Sequence, residues 1–235
     1  GVIGIKPVHL VEKSAEADIP KNDSLYIDIG AKNKEEAESL VRIGDTVCFD
    51  SDFVEYGDGF IKAKALDDRV GCAILIEMIR SELEYDAWFS FSVQEEIGTR
   101  GAQTAAYTVA PDYAIVVETT TAADISGVKD EKRVCICGNG GTVSFMDRRT
   151  IYDKELVASA MSCANDNVKV QLKQAVAGGN DAGAIQTSRG GVRTLAVSLP
   201  CRYLHSPCGM ISAQDLNSVY QVVSEMANKI LSKSL

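Results

Sequence analysis

Four places in this 235-residue chain carry acid or imidazole side chains where a sheet protein would present them to a ligand. Asp67-Asp68 stand at the junction between a strand-like run and a helical one, Glu95-Glu96 follow the apolar run 87–93, and Glu118 follows the apolar run 113–117. His205, one of two histidines in the chain, comes shortly after the run 194–198. Open α/β sheets bind ligands at the carboxyl ends of their strands, so these junctions are the positions to read first. Carboxylates gathered in one cleft repel one another unless a cation neutralises them, and a mixed Asp/Glu/His set suits Zn²⁺, Co²⁺ or Mn²⁺. Each residue has a plainer role when taken alone. Asp67 or Asp68 can cap a helix, Glu118 can be a solvated strand end, and His205 can be an ordinary loop histidine. Their joint placement at the strand ends of one sheet is what favours a metal site.

The elements that must carry these residues follow from periodicity and punctuation. Up to about Lys62 the sequence is turn-rich and strand-like, with short runs at 25–30, 46–49 and 60–62. One helix interrupts it over 34–41, with Asn33 as N-cap, Glu35 and Glu36 in its first turn and Gly44 just beyond its end. From Ala63 onward helices alternate with apolar strands, the pattern of a mixed, mostly parallel sheet covered by helices. The pattern predicts helices over 68–80, 101–107, 156–164 and 213–231, and strands over 87–93, 113–117 and 194–198. On the last helix Leu216, Val219, Tyr220, Val223 and Ile230 form one apolar stripe. The expected division is a small β-rich domain over 1–62 and an α/β domain over 63–235.

Composition excludes several classes of function. With 24 Lys+Arg against 33 Asp+Glu the formal charge is −9, and no basic run is present, which speaks against nucleic acid or an anionic membrane as partner. No stretch approaches the roughly 20 apolar residues that span a bilayer, and the expected location is the cytoplasm. Of seven scattered cysteines without a Cys-x-x-Cys pair, most read as reduced, buried small hydrophobes, with Cys135 and Cys137 placed to share a strand face.

Read together, Lys64-Ala65-Leu66-Asp67-Asp68-Arg69-Val70-Gly71, Val93-Gln94-Glu95-Glu96-Ile97-Gly98-Thr99-Arg100-Gly101-Ala102, Gly178-Gly179-Asn180-Asp181-Ala182 and Arg202-Tyr203-Leu204-His205-Ser206-Pro207 resemble the M42 family of dinuclear metallo-aminopeptidases. The opening Gly1-Val2-Ile3-Gly4 and Lys6-Pro7-Val8-His9 resemble that family's inserted β-barrel dimerisation domain. The likeness covers essentially the whole chain in order. It implies a zinc-peptidase-like catalytic domain with a small β-barrel, two divalent metal ions per subunit (Zn²⁺ or Co²⁺), short peptide substrates, and homo-oligomers in which dimers build a dodecamer. Carried over residue by residue, it makes Asp67 the carboxylate bridging both metals, Glu96 and His205 further ligands of one, Glu118 a ligand of the other, and Glu95 the general base that takes the proton from the attacking water.

Two departures from the family pattern stand out. Glu118 occupies a position where an Asp is usual, and Asn180 one where a Thr is usual. The family also takes a first histidine ligand, with an Asp two residues later, from a segment upstream of the barrel; no such His-x-Asp occurs in these residues, and His9 is followed by Leu10-Val11. The resemblance therefore implies a first catalytic segment lying upstream, and as written one metal site is short of a nitrogen ligand. Two other readings follow: a non-catalytic oligomeric relative that has lost one metal site, and a glycoside hydrolase of cellulase type. The second finds little support in a chain with one Trp and 6% aromatic residues. Asp181 has two readings, as an orienting residue for His205 or substrate and as a helix cap; Arg69 is expected to pair with a neighbouring carboxylate.

Overall fold

The structure, a computed structural model, describes residues 1–4 and 22–235, and its contacts divide the chain into two units, Gly1–Cys48 and Phe49–Leu235. The Lys6-Pro7-Val8-His9 stretch lies outside the described residues. In the first unit β1 (Val2–Ile3) pairs antiparallel with β2 (Ile27–Asp28), so the run expected over 25–30 contributes two ladder residues. Helix α1 (Lys34–Leu40) starts as its sequence dictates: the Asn33 side chain accepts from the Glu36 N–H at 2.9 Å, satisfying one of the donors a helix start leaves free. It buries no residue. The strand expected over 46–49 is absent, and among the described residues this unit shows no closed barrel.

The second unit contains two sheets. In the smaller, β3 (Val54–Tyr56), β4 (Phe60–Ala63) and β9 (Gly209–Ser212) run antiparallel in that order. The division expected after Lys62 thus falls inside β4, whereas the compact units meet between Cys48 and Phe49. The larger sheet has the order β5-β8-β6-β7, built from β5 (Tyr113–Thr121), β6 (Gly141–Val143), β7 (Val170–Leu172) and β8 (Arg193–Cys201). β5 lies parallel to β8 and β6 parallel to β7, while β6 and β8 are antiparallel, so the sheet is mixed and mostly parallel. β8 is an inner strand buried on both faces, which is why its sequence is mostly apolar, with Leu195, Val197 and Leu199 alternating with Ala196 and Ser198, all without exposed surface.

The helices are α2 (Leu66–Arg80), α3 (Arg100–Val109), α4 (Lys154–Ser162), the short α5 (Ala182–Ile185) and α6 (Ala213–Leu231). α2 packs on β5, and α6 packs on β8 and β6. The core-facing side of α6 lies slightly round from the expected stripe: Val219, Val222, Val223 and Met226 are buried, while Leu216, Tyr220 and Ile230 pack along its margin. Each such fully buried aliphatic side chain is worth about 1.5–3 kcal/mol. Ser212 caps α6, and Asp215 in its first turn accepts from the backbone N–H groups of Gly138 and Gly140 at 2.6 and 2.7 Å.

One expected strand is not formed. Residues 87–93 make no ladder, and Trp88, Phe91 and Val93 are exposed. A strand exists by pairing, and the outer edge of β5 has no partner among the described residues; a cavity of about 1210 Å³ is lined both by this segment and by β5. The apolar alternation identified a segment suited to burial but could not supply its neighbour. Residues 134–137 likewise form no strand, although Cys135 and Cys137 do share a small buried cluster with Ala122, and all seven cysteines are free. Among the described residues no helix is long and apolar enough to cross a membrane.

Candidate metal centre

Strand pairing places the first two residues of the site. In the β4–β9 ladder Ala63 sits opposite Gly209, and Asp67 and His205 each lie four residues beyond that last pair, on the two chains that diverge from it. The backbone then takes unusual conformations where the side chains must be aimed. Ala65 precedes Asp67 at φ +49°, Gln94 precedes Glu95 at φ +60°, and Tyr203 and His205 stand at φ +59° and +57°. Residues with a Cβ seldom adopt this region, and such strain concentrates where surrounding structure over-determines a functional geometry.

Asp67 and Asp68, joined by a cis peptide, divide the two roles the sequence left open. Asp67 and Asp68 form a non-helical kink near the start of α2, and Asp68 caps the turn that follows it: its Oδ1 accepts from Gly71 N–H at 3.0 Å. Burial, followed by the charges of Asp67, Glu95 and Asp181, pushes its pKa up to about 8 despite that hydrogen bond. Asp67 points into the cleft. The close turn depends on Gly71, because a Cβ there would stand 2.3 Å from Asp68 Oδ2 and 2.6 Å from the Val117 carbonyl oxygen.

The loop carrying Glu95 and Glu96 is tied by its own backbone, with Gly98 and Thr99 N–H donating to the Glu95 carbonyl at 3.0 and 2.9 Å and Gly101 N–H to the Val93 carbonyl at 3.0 Å. It delivers Glu96 to Asp67 and His205. His205 Nε2 lies 3.3 Å from Asp67 Oδ2 and 3.5 Å from Glu96 Oε2, and one ligand atom from each of the three residues falls within 4.8 Å of the others. Ligands held tetrahedrally at about 2.0–2.2 Å from one cation stand about 3.3–3.6 Å apart. The 3.3 and 3.5 Å separations match that spacing, and the oxygen and nitrogen donors suit a borderline divalent ion, so the residues fit one.

Glu118 is outside that group of three. It stands on β5 opposite Ser198 of β8, and although the residue keeps some exposed surface, its carboxyl lies deep among protein atoms. That burial pushes its pKa well up, opposed by a hydrogen bond from Asn180 and by the charge of Lys173. Asn180 Nδ2 donates to Glu118 Oε1 at 2.7 Å, and Ser198 Oγ donates to the same oxygen at 3.3 Å. Glu95 is half-buried; burial and then the charges of Asp181, Glu96 and Asp67 push its pKa up to about 7, with His205 opposing. A carboxyl poised near neutrality beside a cation-fitting cluster has the properties of a group that accepts and returns a proton.

Three features were not read from the sequence. Asn180 bonds directly to Glu118, whereas its neighbour Asp181 makes no helix-capping hydrogen bond with its side chain, and its Oδ1 is buried without a hydrogen-bond partner among the described residues. Lys173 is buried, donates to the Ala177 carbonyl at 3.0 Å and acts on Glu118; its signal was a lysine at the end of the short β7. Tyr152 links Asn180 to Asp147 through its hydroxyl. Arg69, expected to pair with a carboxylate, is exposed and makes no ion pair among the described residues.

With this geometry in hand, comparison with known proteins gives a consistent result. The M42 glutamyl aminopeptidase family profile matches residues 1–222. A candidate aminopeptidase of Acetivibrio thermocellus is 38% identical over 228 residues, covering 96% of this chain and 68% of that protein. The crystal structure of a TET aminopeptidase from a marine-sediment Thaumarchaeota archaeon superposes with a TM-score of 0.89 at 34% identity, covering 96% of this chain and 66% of that one. The TET1 peptidase of Pyrococcus horikoshii, which can assemble into a tetrahedron or a large octahedral shell, gives a TM-score of 0.79 at 33% identity, covering 96% and 67%. The chain thus spans about two thirds of the length of these relatives.

Proposed function

From membership of the M42 glutamyl aminopeptidase family, to which this chain belongs, we propose that it works as a metal-dependent aminopeptidase removing N-terminal residues from short peptides. Asp67, Glu96 and His205 hold one divalent cation, Zn²⁺ or Co²⁺, and Asp67 and Glu118 contribute to a second. Cations bound there lower the pKa of water and polarise a carbonyl oxygen. Glu95 takes the proton from the attacking water as its oxygen bonds to the scissile carbonyl carbon. It returns that proton to the departing amine as the C–N bond breaks. The observation that carries this reading is the convergence of the His205 imidazole on two carboxylates at 3.3 and 3.5 Å, the spacing of ligands around a cation.

The β-rich part of the chain, residues 1–62, serves as the dimerisation domain, and the protein works as a homo-oligomer in the cytoplasm. Support for assembly comes from the shell-forming TET1 peptidase at 33% identity. Support for the location comes from seven scattered cysteines whose odd number and spacing form no disulfide framework, as suits a reducing compartment.

The test is release of the N-terminal residue from a free peptide and from its N-acetylated twin, with Zn²⁺ or Co²⁺ and with chelator, beside a cellulose oligomer as control. Release from the free peptide alone, abolished by chelator, is the expected result. Release from neither peptide sinks the activity for this chain and favours a non-catalytic relative, and chelator-resistant cleavage of the sugar sinks the substrate class.

A further inference from the structure

The side chains behind Glu118 form a chain of hydrogen bonds whose direction is fixed at every link. Asn180 is buried, at 2% exposure. Its Oδ1 accepts from Ala182 N–H at 2.8 Å, so its amide group must face the other way, and both protons on Nδ2 are committed: one to Glu118 Oε1 at 2.7 Å, the other to Tyr152 Oη at 3.0 Å. Tyr152, also buried, therefore spends its single proton on Asp147 Oδ2 at 2.6 Å. Asp147 is held in turn, its Oδ1 accepting from Arg149 and Thr150 N–H at 2.7 and 2.8 Å. Both ends of the chain are carboxyl groups, and every proton points away from the Asn180 amide toward an acceptor. The two oxygens of Glu118 are consequently unequal. Oε1 receives Asn180 and Ser198, while Oε2 receives no hydrogen bond from a described residue.

We infer that Asn180 is a positioning residue, anchored through Tyr152 and Asp147, which occupies Oε1 of Glu118 and so presents Oε2 as the single oxygen available to a cation. This rests on the reading that Glu118 is a ligand, and it goes beyond that reading by assigning which oxygen ligates and what selects it. It also gives a physical reason for finding Asn at this place. A hydroxyl supplies one proton, and only an amide can donate to Glu118 and Tyr152 together while accepting from the backbone with its own oxygen. The inference makes the pair a unit: the length of Glu118 and the reach of Asn180 are matched across the 2.7 Å contact, and changing either alone misplaces the oxygen.

The test is Mn²⁺ binding by the full chain, measured by equilibrium dialysis, for wild type, Glu118→Gln, Asn180→Leu and the double variant. Asn180→Leu is expected to weaken the Glu118-dependent Mn²⁺ about 10–100-fold, the usual loss when the partner of a ligand is removed, and to leave the Asp67/Glu96/His205 ion unchanged. In the Glu118→Gln background the same substitution is expected to add nothing, which separates positioning of Glu118 from a general loosening of the fold. If Glu118→Gln binds Mn²⁺ as the wild type does, Glu118 is not a ligand and the inference falls with that reading. If Glu118→Gln loses an ion but Asn180→Leu does not, or if Asn180→Leu costs as much in both backgrounds, the inference alone is overturned. Asn180→Ser, shorter and polar, reads the same quantity should the leucine variant fail to fold, with the same outcomes deciding.

Discussion

His205 and Glu96 reach their corner of the cleft as exposed side chains on loops, and the contacts that bring them to Asp67 are the 3.3 and 3.5 Å approaches of the imidazole. Glu118 reaches its corner from the middle of a buried strand pair and is met there by an amide and a hydroxyl. The chemistry of the side chains is nearly the same; the means of holding them differ. An exposed cluster of acids with few donors gains its order from the ion it binds, so its geometry and its cation are thermodynamically linked. A sunk carboxyl needs donors before any ion arrives, because an unpartnered buried charge is costly. On the proposed reading, the exposed corner would be tightened by the cation it binds, whereas the sunk corner is held by protein donors alone.

The sharpest way to separate ligands from proton carriers in this picture is Glu95→Gln. Removing a general base costs about 10²–10⁴-fold in kcat, and because Glu95 is assigned no ligand role, metal content by atomic absorption should stay at the wild-type value. Retained turnover would remove Glu95 from its assigned role; lost metal would move it into the exposed corner. His205→Ala acts on that corner directly. It should weaken one cation by more than the roughly 10–100-fold that follows loss of a ligand's supporting partner, with activity falling in step. Unchanged metal stoichiometry would strike His205 from the ligand set and dissolve the contrast between the corners.

Legibility from sequence follows the same divide. Asp67, Glu96, His205, Glu118 and Glu95 were singled out because each follows a strand-like run, and strand ends are where such sheets present ligands; the structure brings Asp67, Glu96 and His205 together. The helices were also readable, α1 from its Asn33 cap and α6 from its stripe, since caps and periodicity are local. What was not readable depends on partners distant in the chain. Asn180 meets Glu118 across 62 residues, and nothing beside either announces the other. The run 87–93 looked like a strand because burial suits its residues, but pairing is decided by a neighbour its own sequence does not name. The short strands β6, β7 and β9 carry three or four residues each, too few to show a period. The split between Asp67 and Asp68 was left open for a similar reason: either can cap, and only the φ/ψ values of that turn decide which does.

A smaller effect tests the scaffold under the exposed corner. Gly71→Ala would drive a methyl toward Asp68 Oδ2 and the Val117 carbonyl, one of which is backbone and cannot swing away. Overpacking of this kind costs about 1–3 kcal/mol, and it should appear in thermal melts of the metal-free chain as well as in weaker metal binding, because Asp67 is carried on the same turn. A variant as stable as wild type would mean that the turn relaxes more easily than its contacts suggest.

Ser198→Ala is the smallest expected change and bears most finely on the comparison. Its hydroxyl reaches Glu118 Oε1 at 3.3 Å, beyond the usual range of about 2.5–3.0 Å for such a bond, and shares that oxygen with the 2.7 Å contact from Asn180. If Oε1 is held chiefly by the amide, losing the hydroxyl removes a redundant donor, and Glu118-dependent metal affinity should fall by no more than about 5-fold, the equivalent of about 1 kcal/mol for one ordinary hydrogen bond. A loss as large as that of Asn180→Leu, measured in the same dialysis, would make the hydroxyl an equal partner. The sunk corner would then be held by strand pairing between β5 and β8 rather than by the loop that carries Asn180.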